Sequence, residues 1–289
     1  RRVRNTARFL ISNLYDFDPA RDRVGRADFD ELDLWILGRT ENLLTRCREA
    51  YDKCEFHVVY HSLNNFCSVD LSAQYLDIVK DRLYCEGTKS VKRRAAQTTI
   101  YRILDVLVHL TAPILSFTAE EIWQYMPNKA NRAKSVFLSQ MPNPETGFAD
   151  AALAEKWDRL LRERGEVLKA LEQARTSGII GHSLDAKVVF EFRDGQGSVL
   201  PSLVQADRTR LQDLLIVSQA TESTELAASA SGEESSYDAA LLNCLIKVSK
   251  ADGGKCERCW KYDVQVGADK NHPTACARCA AVLNAGASA

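Results

Sequence analysis

Apolar positions recur every three to four residues through the first part of the chain, the spacing of one buried helix face. The first such stripe is formed by Val3, Ala7, Leu10, Ile11 and Leu14. It ends before Pro19, since a proline disfavours the helical conformation of the residue that precedes it. Further helices are predicted at about 30–53, 55–66, 70–83, 93–110 and 118–126. No strand-like alternation interrupts them, so the sequence predicts an all-helical bundle over 1–126.

Two of these helices carry recognisable start signals. Asp70 is expected to cap the helix that begins there, because an aspartate accepts hydrogen bonds from the first free backbone amides. Thr118 and Glu121 have the spacing of a capping box for the last helix. Gly38 lies in the middle of a helix, where it costs stability, and therefore predicts a close approach of another segment.

The hydrophobic period changes in the second half. A loop rich in proline leads from 127 into a long charged helix that ends near 177, and this connector is treated as one segment, 127–177. β-branched and aromatic runs then predict short strands at 186–192, 214–218 and 245–248. The sequence thus predicts a mainly α chain with a small α+β junction domain over 178–250 and a terminal segment over 251–289.

Four cysteines of the terminal segment have the spacing of a metal site. Cys256 and Cys259 form one Cys-x-x-Cys pair, Cys276 and Cys279 form another, and sixteen residues separate the pairs. Four thiolates in this arrangement can surround one structural zinc ion, and the metal then supplies much of the folding free energy of so short a segment. A pair of structural disulfides is one alternative. A redox dithiol is the other, but one Cys-x-x-Cys pair suffices for it and no βαβ pattern surrounds these cysteines.

Two groups of side chains are candidates for contact with RNA. Beside the cysteines, Arg258 and Lys261 surround Trp260, and cations around one aromatic ring suit a phosphate backbone and an unstacked base. The alternative is a tryptophan that shields the metal. The second group is a basic run in a stretch, 85–102, with a local charge balance of +4, and it comprises Lys89, Lys92, Arg93 and Arg94. A solvated helix face is the alternative there.

Composition narrows the function classes. The chain has 289 residues, of which 45% are hydrophobic and 27% charged, with a net charge of −1, so only local patches could attract a nucleic acid. No apolar run is long enough to cross a membrane. Five further cysteines show no paired spacing and are expected to be small core residues in a reducing compartment. No phosphate-binding glycine loop or catalytic triad is recognisable, and a four-cysteine zinc site has no open position for water.

Several long motifs resemble one family. They are RNTARFL at 4–10, DFDP at 16–19, NFCSVDLS at 65–72, YLDIVKDRLY at 75–84, APIL at 112–115, TAEEIW at 118–123, IGHSLDA at 180–186 and KCERCW at 255–260. Together they resemble the anticodon-binding region and zinc finger of bacterial isoleucyl-tRNA synthetases, and they extend over nearly the whole chain. The finger alone also resembles the zinc hairpin of bacterial DNA-repair glycosylases, which would need an N-terminal Pro-Glu that this chain lacks.

The resemblance implies a tRNA-binding, C-terminal portion of a class I synthetase, with an anticodon-binding bundle over 1–126 and a zinc finger over 251–289. Such an enzyme joins isoleucine to tRNA(Ile) with ATP and magnesium. Its His-x-Gly-His and Lys-Met-Ser-Lys-Ser motifs do not occur here, so the chain alone is expected to be inactive. A cytoplasmic monomer without membrane contact is also expected. A free-standing nucleic-acid-binding module and an interaction scaffold are the alternatives.

Overall fold

The computed structural model describes residues 1–127, 132–193, 200, 208–223 and 233–287. Contacts divide the chain into two compact units, Arg1–Ala154 and Glu155–Ala289. The finer division into four segments stays a prediction. Within the described residues, no helix combines the length and the apolar character that a membrane span requires.

The first unit is a helical bundle, as predicted. Its helices are α1 (Arg2–Ser12), α2 (Glu31–Asp52), α3 (Phe56–Asn65), α4 (Leu76–Ile78), α5 (Lys80–Cys85), α6 (Val91–Thr111) and α7 (Ser116–Tyr125). Apolar side chains from α1, α2 and α6 form the centre of the core, and Leu10, Ile36, Leu44, Ile100 and Leu104 are completely buried. Burial of these stripes is the main source of stability for such a bundle.

Helix α2 shows how local sequence sets an element. Asp30 caps it by accepting from the amide of Leu32 at 3.1 Å, while Asp33 accepts from the amide of Asp30 at 3.1 Å. Gly38 allows the close approach that its position predicted, since a Cβ there would lie 2.9 Å from the carbonyl oxygen of Phe148.

Two predicted helix starts are wrong. Asp70 caps no helix, because α3 runs directly into a ten-residue π-helix, Phe66–Tyr75, that contains it. The predicted box at Thr118 and Glu121 does not form, because α7 begins one turn earlier, at Ser116, without a side-chain cap. In both places the chain continues in a helical conformation through the polar residue that was expected to interrupt it.

The second unit combines α9 (Arg208–Leu215) and a four-stranded sheet with the long helix α8 (Ala151–Thr176), whose first four residues belong to the first unit. The strands are β1 (Ala186–Phe192), β2 (Gln219–Glu222), β3 (Ser235–Ala239) and β4 (Cys244–Lys250), in the order β2-β1-β4-β3. β1 pairs parallel to β2 and antiparallel to β4, which places Val188 opposite Val248 and Phe190 opposite Ile246. These four side chains are fully buried and form the inner face of the sheet.

Two of the three predicted strands are confirmed, at 186–192 and 245–248. The one predicted at 214–218 is wrong, because α9 extends to Leu215 and Ile216 then takes a left-handed conformation with φ 57°. A short apolar run is equally compatible with a buried strand and a buried helix end. After the sheet, a two-stranded hairpin, β5 (Gly254–Lys255) with β6 (Tyr262–Asp263), leads to the last helix, α10 (Ala277–Ala287).

Candidate zinc centre and nucleic-acid interface

The backbone brings the two cysteine pairs to one point. Cys256 and Cys259 lie in the tight turn between β5 and β6, which is closed by a hydrogen bond from the amide of Cys256 to the carbonyl of Lys261 at 2.9 Å. Cys276 immediately precedes α10, and its carbonyl accepts from the amide of Ala280 at 2.9 Å. A turn thus supplies one pair of sulfurs and a helix start supplies the other.

The four sulfur atoms have the geometry of a tetrahedral metal site. All four cysteines are buried, and their Sγ atoms lie within 4.8 Å of one another. The Sγ atoms of Cys259 and Cys276 are 3.8 Å apart. Zinc–sulfur bonds of about 2.3 Å in a tetrahedron place the sulfurs about 3.8 Å apart, whereas a disulfide needs about 2.0 Å. The residues therefore fit one structural zinc ion, as predicted, and the disulfide alternative does not fit the Cys259–Cys276 distance.

Hydrogen-bond donors lie beside two of the four sulfur atoms. The amide of Cys276 donates to the Sγ atom of Cys256 at 3.3 Å, and a guanidinium nitrogen of Arg258 lies 3.7 Å from the Sγ atom of Cys279. A hydrogen bond from Cys279 lowers the pKa of the Cys259 thiol to about 4, and the same bond raises the pKa of Cys279. Four thiolates repel one another at this distance, so a divalent cation is needed to hold them all ionised.

Trp260 projects from the metal-binding turn into solvent. Its side chain is 61% exposed, and its backbone lies in the left-handed region with φ 65°. Such a conformation costs a residue with a Cβ roughly 1–2 kcal/mol. An indole with this exposure does not form the core of the finger. Contact between Trp260 and RNA stays a prediction.

The finger is held against the sheet of its own unit. Ser218 donates to the carbonyl of Leu184 and accepts from the amide of Tyr262 at 2.7 Å. Lys261 pairs with Asp213 at 2.5 Å, so its ammonium is occupied by a carboxylate of α9. Of the finger residues predicted to contact RNA, Lys261 thus has a structural role in this structure, while Trp260 faces solvent.

The basic run that leads into α6 contains two exposed lysines and two arginines that are buried or half-buried. Lys89 and Lys92 are exposed and available to phosphate groups. Arg93 is buried and pairs with Asp16 through two hydrogen bonds, and it also donates to the carbonyl of Leu83 at 3.1 Å. Arg94 is half-buried and donates to the carbonyl of Asp16 at 3.0 Å. We therefore restrict the predicted phosphate contact to the two lysines.

Two exposed tyrosines flank the buried arginine of that run, and the sequence patterns did not single them out. Tyr15 is 79% exposed, and the guanidinium of Arg93 lies 5.9 Å from the centre of its ring. Tyr84 is exposed and directly follows Leu83, whose carbonyl accepts from Arg93. Arg93 thus joins the turn after α1 to α5. Exposed aromatic rings close to lysines are typical of surfaces that bind single-stranded RNA.

A groove of about 450 Å³ between α1 and the π-helix is the second feature that sequence patterns did not reveal. Its walls combine cations, hydrogen-bonding groups and one aromatic ring, among them Arg2, Asn5, Phe9, Ser68, Ser72 and Lys80. Burial raises the pKa of the Cys67 thiol in the groove to about 11, so that this part of the wall is neutral. The residues belong to α1 and to the distant stretch 67–80, which is why only the fold brings them together.

Comparison with known proteins agrees with this geometry. A family profile described as the anticodon-binding domain of tRNA ligase matches residues 33–190, more than half of the chain. The chain belongs to this family of tRNA-ligase anticodon-binding domains. A second profile, described as a zinc finger found in FPG and IleRS, matches residues 253–282 and includes all four cysteines of the metal site.

Similar curated proteins carry one enzyme name. The family member described here is 48% identical to the isoleucine–tRNA ligase of Syntrophotalea carbinolica over 98% of this chain and 29% of that protein. It is 45% identical to that of Desulforamulus reducens and 44% identical to that of Moorella thermoacetica, in each case over 98% of this chain and 30% of the relative. The chain therefore spans less than a third of the length of these relatives.

Proposed function

We propose that the chain is the tRNA-binding, C-terminal portion of an isoleucine–tRNA ligase and that it recognises the anticodon region of tRNA(Ile). The observation that carries this proposal is the joint presence of an anticodon-binding bundle and a four-cysteine finger in one chain. The finger alone would be equally compatible with a DNA-repair enzyme. Similarity to isoleucine–tRNA ligases over 98% of the chain supports tRNA, and not DNA, as the nucleic acid that the chain binds.

The surfaces of the bundle suit an RNA loop. Sequence-specific RNA recognition targets bases that are splayed out, stacked on aromatic or guanidinium planes and hydrogen-bonded at their edges. The groove between α1 and the π-helix offers the ring of Phe9, the amide of Asn5 and the hydroxyls of two serines. Arg2 lies at the same groove and can attract the phosphates that join such bases, whereas the ammonium of Lys80 is paired with Asp77 at 2.8 Å.

The finger provides a separate contact on the second unit. Trp260 presents an indole on which a base can stack, and the zinc ion holds the turn that carries it. The metal itself is structural in this proposal, because four cysteine ligands leave it without an open coordination position.

The role of these contacts is to position a substrate. Binding energy from the anticodon end holds the acceptor end of the tRNA in a catalytic domain, where ATP and magnesium act, so remote contacts contribute to the rate. These 289 residues lack the two nucleotide-binding motifs of class I synthetases, and we expect them to form no aminoacyl-adenylate by themselves. A cytoplasmic location and a monomeric state belong to the same proposal.

A gel-shift titration tests the proposal. The probes are tRNA(Ile), the same tRNA with a changed anticodon and a DNA duplex, each with and without a zinc chelator. We expect the first probe to bind more tightly than the other two and the chelator to weaken that binding. Preference for the DNA duplex would point to a repair-type module, and absence of binding to every probe would favour a scaffold; either result contradicts the proposal.

A further inference from the structure

The π-helix forms one wall of the groove between α1 and the rest of the bundle. Cys67, Ser68 and Ser72 lie on this wall, and Leu76 continues it at the start of α4. A π-helix of ten residues is unusual, since most occur as single turns inserted in α-helices, frequently at functional sites. The position of this wall decides how wide the groove is.

Local hydrogen bonds adapt to the wider turn. The hydroxyl of Ser72 donates to the carbonyl of Cys67, five residues earlier, at 2.7 Å, and that of Ser68 donates to the carbonyl of Asn64 at 2.7 Å. Both serines keep an oxygen lone pair that can accept from a ligand. Ser72 thus bonds a carbonyl of the π-helix and Ser68 one at the end of α3, while both line the groove.

Two contacts, one buried and one partly exposed, tie this wall to α2. At its end, the hydroxyl of Tyr75 donates to Asp33 at 2.7 Å, and both residues are completely buried. Arg82 holds the other carboxylate oxygen of Asp33 at 3.1 Å. Near its middle, Asp70 pairs with Arg39 of α2 at 3.2 Å. Neither tether lies in the groove, yet each fixes a point of the π-helix against a long helix that the core holds rigidly.

We propose that Tyr75 and Asp33 are positioning residues for anticodon recognition: their buried hydrogen bond holds the π-helix at the width at which the groove accepts one unstacked nucleobase. This inference rests on the proposed function of the bundle. A helix with π geometry has a competing α-helical form one residue out of register, and a fixed end selects between the two. Loss of the tether lets the serine-bearing wall shift without removing any group that touches the RNA.

Tyr75→Phe is the variant that tests the inference, because it removes one hydroxyl and leaves the ring and the Asp33–Arg82 pair. Tyr51→Phe is the matched control, since the Tyr51 hydroxyl donates to the carbonyl of Leu110 at 2.6 Å in the same bundle, away from the π-helix. Loss of one hydrogen bond corresponds to about a threefold to tenfold change in an equilibrium constant.

The readouts are the affinity for tRNA(Ile), the affinity for the same tRNA with a changed anticodon, and the melting temperature. We expect both variants to melt a few degrees below the wild type, while Tyr75→Phe alone reduces the ratio of the two affinities, by about threefold to tenfold. Equal ratios for the two variants would overturn the inference. A wild-type chain without any preference between the two tRNAs would instead contradict the proposed function.

A second pair of variants keeps the test decisive if Tyr75→Phe does not fold. Ser72→Ala removes the hydrogen bond from the Ser72 hydroxyl to the carbonyl of Cys67. Thr40→Ala removes a comparable bond in α2, from the buried Thr40 hydroxyl to the carbonyl of Ile36 at 2.7 Å. We expect Ser72→Ala to reduce the affinity ratio and Thr40→Ala to leave it unchanged. If Ser72→Ala behaves like Thr40→Ala, the π-helical wall does not set anticodon preference.

Discussion

Asp16 and Arg93 form a two-point ion pair in which the guanidinium nitrogens lie 2.6 and 2.9 Å from the two carboxylate oxygens. Both side chains are largely buried: 5% of the arginine side chain and 21% of the aspartate side chain are exposed. The pair joins the turn after α1 to the start of α6, with Gln97 donating to the same carboxylate at 2.8 Å. A residue that belongs to a basic run in the sequence is thus an internal part of the bundle.

Arg93→Met should therefore destabilise the bundle, while Lys92→Met should not. Removing one partner of a buried pair leaves the other charge poorly compensated, and we expect a loss of about 3 kcal/mol in the free energy of unfolding. Lys92 is exposed, so its replacement should change stability by less than about 0.5 kcal/mol. Urea denaturation measures both. Equal effects of the two substitutions would contradict the internal role of Arg93.

The same pair gives stability a dependence on pH. Burial disfavours the charged form of Asp16, but hydrogen bonds from Arg93 and Gln97 outweigh it and hold the pKa of the carboxyl below its usual value. The resulting stabilisation is present above the ordinary aspartate pKa of about 4 and is lost as the pH falls through the lowered pKa. Between about pH 5 and pH 2, the wild type should thus lose more stability than Arg93→Met.

The exposed lysines of the run should act on binding instead. Each lysine that contacts a phosphate releases a counterion, which contributes about 0.7–0.9 to the slope of log affinity against log salt concentration. Replacing both Lys89 and Lys92 by alanine should reduce the slope for tRNA(Ile) by about 1.4–1.8 without lowering the melting temperature. Lys53 and Lys134, also exposed, provide a charge-matched control pair. A tRNA affinity that does not change with salt would exclude the phosphate contacts altogether.

Sequence patterns predicted the structural features that depend on residues close together in the chain. The two Cys-x-x-Cys pairs identified the metal site, because thiol ligands at this spacing have few other uses. The β-branched and aromatic run over 186–192 predicted β1, a strand in which every second residue of the first five is buried. The resemblance to synthetases then predicted the anticodon-binding role of the bundle, which no periodicity contains.

Structural features that depend on contacts between residues far apart in the chain could not be predicted from sequence patterns. Arg93 is buried and Lys92 is exposed because the fold brings the carboxylate of Asp16, from the turn after α1, to Arg93. The π-helix was hidden because its apolar positions are also compatible with an ordinary helix start at Asp70. Leu214 and Leu215 have strand-like neighbours, yet tertiary packing places them at the end of α9.

Gly253 should be required for the hairpin that supports the metal site. Its φ is 95°, and a Cβ there would lie 2.3 Å from the carbonyl carbon of Asp263, so Gly253→Ala must shift β6. We expect this variant to release zinc faster to a chelator than the wild type. Gly286→Ala is the control, because nothing lies within 4 Å of a Cβ at that position of α10. If both variants release zinc at the wild-type rate, the hairpin does not support the site.

The four cysteines should bind one zinc ion per chain. Cys276→Ser removes one ligand and should leave the purified protein with substoichiometric zinc, whereas Cys54→Ser, at an exposed cysteine outside the cluster, should retain one ion. Elemental analysis of reduced protein gives the stoichiometry. A wild-type chain purified under reducing conditions without zinc would contradict the metal site itself.

Trp260 offers a test in which stability and binding change in opposite directions. Its left-handed backbone strains a tryptophan, whereas asparagine tolerates the same conformation, so Trp260→Asn should leave the melting temperature of the zinc-bound protein unchanged or raise it. Binding should weaken by about 1–3 kcal/mol if a base stacks on the indole. Trp260→Phe keeps a stacking surface and should retain more of the affinity. A lower melting temperature for Trp260→Asn, together with unchanged tRNA affinity, would instead identify the indole as a structural part of the finger.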